Sequence, residues 1–98
     1  MAQFKAYRLP EGGLVLDLRS DLVATASRVV APLVAVGGEV PPLSRLEPLF
    51  EIDGALHALH VSELLSVRRR FVSGEPVADL SGDDYPIRRA LDVLFSGF

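Results

Sequence analysis

Ile87-Arg88-Arg89-Ala90-Leu91-Asp92-Val93-Leu94-Phe95-Ser96-Gly97-Phe98 is the one stretch with convincing helical periodicity, and its isolation decides the fold. Ile87, Ala90, Leu91, Leu94 and Phe98 recur at three- and four-residue intervals, so they share one apolar stripe. Arg88, Arg89 and Asp92 take the other positions. Asp83 or Asp84 can cap the start, and Pro86 falls in the first turn, where its missing N–H leaves no helical bond unmade. Gly97 suits the left-handed residue that closes a helix. Two aromatics in Phe95-Ser96-Gly97-Phe98 occupy an end where most chains fray into polar disorder. Such an end is either docked into its own core or kept for a partner.

Everything upstream reads as short strands. Residues 3–9 form one, Pro10-Glu11-Gly12-Gly13 its turn, and 14–18 the return strand. In that return strand Leu14, Leu16 and Leu18 share one face, Val15 and Asp17 the other. Residues 28–33 form a third strand with Val29, Ala31 and Leu33 on one side. Gly37-Gly38 and Pro41-Pro42 break periodicity and make 34–47 a long connection. Residues 49–52 and 55–60 flank Asp53-Gly54, the signal for a type I′ hairpin turn. Residues 67–72 are another β-rich run, stopped by Gly74-Glu75-Pro76. Closely spaced strands with glycine and proline turns indicate a small antiparallel barrel, mainly β, with one C-terminal helix packed on it.

Ninety-eight residues amount to one domain, residues 1–98, with an expected radius of gyration near ~13 Å. At 49% hydrophobic and 23% charged, the chain is more apolar than so small a monomer needs. The excess points to a subunit interface, and so to a homodimer. There is no cysteine, hence no disulfide framework and no thiolate metal site. Met1-Ala2-Gln3-Phe4 does not open a signal peptide, and no apolar run approaches the ~20 residues of a membrane span, so the cytoplasm is the expected location. A net charge of −3 argues against a dedicated nucleic-acid binder.

The residues that could carry chemistry are few. His57 and His60, three apart on one strand, face opposite ways and lack a third ligand nearby, so they read as structural; neither metal nor cofactor is expected. Arg68-Arg69-Arg70 is the only basic run; on a strand Arg68 and Arg70 would share a face and Arg69 oppose them. It reads as a solvated edge strand guarded by charge, in preference to a phosphate contact. Asp17, Asp21, Asp53, Asp79, Asp83, Asp84 and Asp92 mostly fall at turns or at the helix start, where aspartate caps backbone donors. Asp21, Asp79 and Asp83 read as structural. No nucleophile–base spacing and no glycine-rich phosphate loop is present.

Five segments in order resemble the CcdB family, the gyrase-poisoning toxins of toxin–antitoxin pairs. Gln3-Phe4-Lys5-Ala6-Tyr7 resembles the family's opening strand, and Asp17-Leu18-Arg19-Ser20-Asp21-Leu22 its Asp-Val-Gln-Ser-Asp-Ile type motif. Arg28-Val29-Val30-Ala31-Pro32-Leu33 is similar to its Arg-x-Val-x-Pro-Leu strand, Val77-Ala78-Asp79-Leu80-Ser81 to the segment before its last helix, and Phe95-Ser96-Gly97-Phe98 to its end. The resemblance implies an SH3-like barrel of the kind shared with Kid and MazF toxins, a small accessory sheet, a C-terminal helix and a homodimer. It implies no catalysis by the chain itself. Its partners would be the A subunit of DNA gyrase, trapped on cleaved DNA, and a CcdA-like antitoxin whose disordered tail folds on the toxin. Carried over by position, Leu22 and Val23 from the loop, with Asp92, Phe95, Ser96, Gly97 and Phe98 from the helix end, would contact gyrase.

The chain departs from the family in two places. Many members end in Trp-Gly-Ile where this one has Ser96-Gly97-Phe98, so either the aromatic anchor has moved to Phe98 or gyrase poisoning is weakened. Arg68-Arg69-Arg70 stands where the family has a Val-Pro-Val type stretch. Two other readings compete: a MazF-like endoribonuclease, built from the arginine run with His57 or His60, and a non-toxic relative that still binds antitoxin.

Overall fold

The computed structural model describes residues 3–19, 26–37 and 47–97. The first hairpin forms as its glycines require. Strands β1 (Lys5–Arg8) and β2 (Leu14–Asp17) pair antiparallel, Ala6 opposite Leu16 and Arg8 opposite Leu14. The turn between them is closed by Leu9 N–H to Gly13 O at 2.7 Å and Gly12 N–H to Leu9 O at 2.9 Å. Gly12 sits there at φ 102°, a conformation that a side chain would strain.

Strand β3 (Ser27–Ala35) organises the sheet. One of its edges takes β2 along residues 30–33. The other edge is shared. Its first half pairs with β6 (Leu65–Arg68), from Ser27 opposite Arg68 to Val30 opposite Leu65. Its second half pairs with β5 (Ala55–Leu59), from Leu33 opposite Leu59 to Ala35 opposite His57. Pro32 falls between the two partners. Its carbonyl accepts from His60 N–H on that edge, so its missing N–H points there too, where the ladder is already changing hands.

A second hairpin joins β4 (Leu49–Ile52) to β5, with Asp53 at φ 52° and Gly54 at φ 79°, the two left-handed residues of the expected type I′ turn. This hairpin is the accessory element, continuous with the barrel through β3. Strand β7 (Ala78–Asp79) pairs with the outer edge of β1. The order β4-β5-β3-β2-β1-β7, with β6 also on β3, curls into a nearly closed antiparallel barrel, and helix α1 (Asp84–Ser96) packs on it.

Both faces of the central strands are buried. On one face Ala6, Leu14, Leu16, Ala31 and Leu33 meet Phe50, Ile52, Leu59 and, from the helix, Ile87 and Ala90. On the other, Tyr7, Val15 and Val30 pack with Val72 in a smaller cluster. Part of the apolar excess therefore goes into a second layer within one chain. The same layer holds the least expected feature, an ion pair of Asp17 (0% exposed) with Arg28 (6%). Asp17 pairs across the ladder with Val30, so Arg28 lies diagonally opposite on the same face. Arg28 Nε–H donates to Asp17 Oδ2 at 3.0 Å and its Nη2–H to Arg19 O at 2.7 Å, while Asp17 Oδ1 accepts Arg19 N–H at 3.0 Å. Asp17 is thus a strand residue in the interior, unlike the turn aspartates.

Several sequence-based boundaries shift. The β-rich run 67–72 is not one strand: β6 ends at Arg68, and Arg69–Val72 is a 3₁₀ turn. Arg68, Arg69 and Arg70 therefore do not alternate across a strand. The physical reason is Val72, which a turn brings under the second cluster and a straight strand would carry past it. Val34 and Ala35 belong to β3 and not to the connection, of which 38–46 lies outside the described residues. The first strand is shorter than 3–9 because Phe4, at φ 64°, turns out of the ladder to bury its ring. Strand β5 ends at Leu59, so His60 leaves the sheet.

Candidate binding surface

Helix α1 has one face in the core and one in solvent. Ile87 and Ala90 are fully buried, with Leu91 and Leu94 packed behind them. The guanidinium of Arg88 lies over the Phe4 ring, 5.2 Å from its centroid, and covers the core edge there. At the start, Asp83 occupies the N-cap position but its side chain makes no capping bond. The Asp84 carboxylate instead accepts from Arg88 Nε–H one turn on, near the positive end of the helix dipole. At the other end Gly97 closes the helix as its sequence position suggested. It adopts φ 81° and donates its N–H to Val93 O at 2.9 Å.

The solvent face carries what a partner would meet. Asp92, Phe95 and Ser96 lie three and four residues apart on one side of the last turns, and Gly97 follows, all exposed. Phe95 is 73% exposed. Covering that ring on binding would contribute about 1.5–3 kcal/mol. The fold thus brings Asp92, Phe95, Ser96 and Gly97 together. Leu22, Val23 and Phe98 lie outside the described residues, as do Ser20 and Asp21. Tyr85 went unmarked in the sequence. It is 72% exposed, seven residues before Asp92 on the same face, and its hydroxyl accepts from Arg89 Nη1–H at 3.2 Å. Its signal was its spacing from Asp92 and Ser96, a second stripe opposite the apolar one.

The possible acid–base groups are dispersed. His57 Nδ1–H donates to Ala55 O at 2.9 Å. His60 Nδ1–H donates to Glu63 Oε2 at 2.8 Å, and its Nε2 lies 3.7 Å from Glu47 Oε2. The two carboxylates sit at different ring nitrogens and do not converge on one point. Among the described residues no cluster of three or more His, Cys, Asp or Glu could hold a metal ion. His57 pairs with Ala35 and Arg68 with Ser27, eight positions apart along β3, a separation of about 27 Å. The arginine run and His57 are therefore not brought into one groove.

Asp79 ends β7, and its Oδ1 accepts Ser81 N–H at 2.9 Å. Hydrogen bonds from the Ser81 side chain first, and then from its backbone, hold this carboxyl below the usual carboxylate range. Its role is to turn the chain into the 3₁₀ segment Ser81–Asp83 ahead of α1. Among the described residues no helix is long and apolar enough to cross a membrane.

Compared with known protein families, the sequence matches the one described as CcdB protein over residues 3–97. Compared with curated proteins, it has no match.

Proposed function

The chain belongs to the CcdB family of toxin–antitoxin toxins, and from that premise we propose that it is a gyrase poison that acts by binding and not by catalysis. Residues 1–98 form one toxin domain, which works in the cytoplasm as a homodimer. It engages the A subunit of DNA gyrase, holds the enzyme on cleaved DNA, and is neutralised by a CcdA-like antitoxin. It makes no direct contact with nucleic acid.

One observation carries the reading: a helix buried along Ile87 and Ala90 ends in an exposed phenylalanine, Phe95, beside a left-handed glycine. An aromatic presented on a rigid turn is the kind of anchor that dominates small interfaces. The space around Gly97 is open, with nothing within 4 Å of where a Cβ would stand, so a partner backbone could approach closely. Phe95 and Phe98, with Leu22 and Val23 from the loop, are the proposed apolar anchors, and Asp92 and Ser96 the polar contacts around them. Phe98 takes the place of the family tryptophan. The ribonuclease reading loses support from the dispersal of its groups along β3. His57, opposite Ala35, lies about 27 Å from the level of Arg68, and His60, hydrogen-bonded to Pro32, about 17 Å. Incubating the purified protein with gyrase and supercoiled plasmid tests the proposal. Linear DNA released by detergent and protease is expected, and its absence at micromolar protein would refute poisoning.

A further inference from the structure

Arg68, Arg69 and Arg70 place three of the chain's ten basic side chains on consecutive, exposed residues. The other seven basic residues face thirteen acidic ones, a balance of −6 over the rest of the molecule. Among the described residues none of the three guanidinium groups has a hydrogen bond or ion pair, and Arg70 lies 4.9 Å over the Phe71 ring. The backbone beneath them is fixed. Arg69 N–H donates to Ala26 O at 3.1 Å, Ser73 Oγ–H donates to Arg70 O at 3.0 Å, and Val72 anchors the turn in the second core cluster. Strand β6 leads straight into this turn. Among the described residues it pairs only with β3, and Leu65, at 40% exposure, stands at its start.

We propose that β6 and the arginine turn dock an extended acidic segment of a protein partner, which adds as a strand along the open edge of β6 and sets its carboxylates on Arg68, Arg69 and Arg70. Strand addition supplies main-chain hydrogen bonds to any sequence, and the arginines select for acid. Alternate side chains of an extended peptide recur about every 7 Å, so two carboxylates fit within three consecutive arginines. Charge distribution favours a peptide over nucleic acid. A duplex carries a phosphate charge about every 1.7 Å and would run past the patch onto a surface of net negative charge. Repulsion there acts within a Debye length of about 8–10 Å, whereas a short acidic segment ends inside the patch. The site lies off α1 and does not rest on the gyrase reading, which stands or falls separately.

The test is fluorescence anisotropy on the full chain with a labelled ten-residue peptide alternating glutamate and threonine. Its glutamine counterpart, a version N-methylated at alternate residues and a 20-base-pair duplex serve as comparisons. The glutamate peptide should bind, and binding should weaken at least tenfold in Arg68→Ser/Arg69→Ser/Arg70→Ser at an unchanged melting temperature. The glutamine and N-methylated peptides should bind at least tenfold more weakly. Amide exchange should slow at 65–68 when the glutamate peptide is bound. Equal affinity for the triple variant or for the glutamine peptide would overturn the charge assignment. Unimpaired binding of the N-methylated peptide would overturn strand addition, and tighter binding of the duplex than of the glutamate peptide would overturn the choice of partner.

Discussion

Replacing Arg28 by methionine should be among the most damaging single changes to this protein. The substitution keeps the apolar stem of the side chain, as far as the position of Nε, but leaves Asp17, fully buried, without its guanidinium. It also removes the donor to the Arg19 carbonyl. Removing one partner of a buried ion pair costs about 3–5 kcal/mol, because the remaining carboxylate stays buried after losing the guanidinium that faces it. A domain of this size loses roughly 4–8 °C of Tm per kcal/mol, so a fall of at least about 12 °C is expected. The double variant Asp17→Leu/Arg28→Met removes both charges and fills the site with apolar atoms. It should recover at least about 2 kcal/mol over the single variant, since replacing a whole buried pair by hydrophobic groups is often neutral. Urea denaturation of the three proteins at equal concentration gives both numbers. A single variant within about 1 kcal/mol of the parent would show that the pair is solvated and not a buried clamp between β2 and β3.

Three other outcomes follow from the same coordinates. Gly97→Ala meets no atoms but must adopt φ 81°, so it should cost about 1–2 kcal/mol and fray the last helical turn, visible as faster amide exchange at Gly97 and Ser96. Asp79 has a lowered pKa in the folded state, so its contribution is present above the ordinary carboxylate range and is lost as pH falls through the lowered value. Asp79→Asn should therefore lower stability slightly at neutral pH and flatten the acid limb, the two proteins converging at low pH, and an NMR titration of the carboxyl carbon in the parent should show the low midpoint. Light scattering at micromolar concentration should report about twice 10.6 kDa, and a folded species of the single-chain mass would contradict the homodimer.

The elements legible in the sequence were those whose signal is local. Asp53-Gly54 fixed a hairpin because few other pairs accept two left-handed residues, and Gly97 fixed the helix end for the same reason. Alternation within each strand set Leu14 with Leu16, Ala31 with Leu33, and Val15 with Asp17 on the opposite face, and the register of β2 on β3 joins the first two pairs in one core. What escaped depends on neighbours distant in sequence. Alternation gives Asp17 a face but no partner; Arg28 meets it only through the register that sets Asp17 against Val30. Val67, Phe71 and Val72 have the composition of a strand, and only the second core cluster shows why the chain turns after Arg68. Phe4 reads as a strand residue until its ring is seen buried under Arg88. At the binding surface the apolar stripe of α1 is plain in the sequence, whereas Tyr85 is a single aromatic among polar residues on the opposite face, and its exposure is decided only by how the helix docks.

The most direct measurement is the affinity of the intact chain for the gyrase A fragment, by calorimetry, beside a chain lacking residues 96–98 and a Phe95→Ala variant. All three should fold, since Ile87 and Ala90 fix the helix while Phe95, Ser96 and Gly97 are exposed. The intact chain should bind. Phe95→Ala should bind at least thirtyfold more weakly, the loss of about 2 kcal/mol expected of a central anchor, and the truncated chain should bind more weakly still. Binding by the folded variants as tight as that of the intact chain, or no binding by the intact chain, would contradict a gyrase-directed role for this helix end.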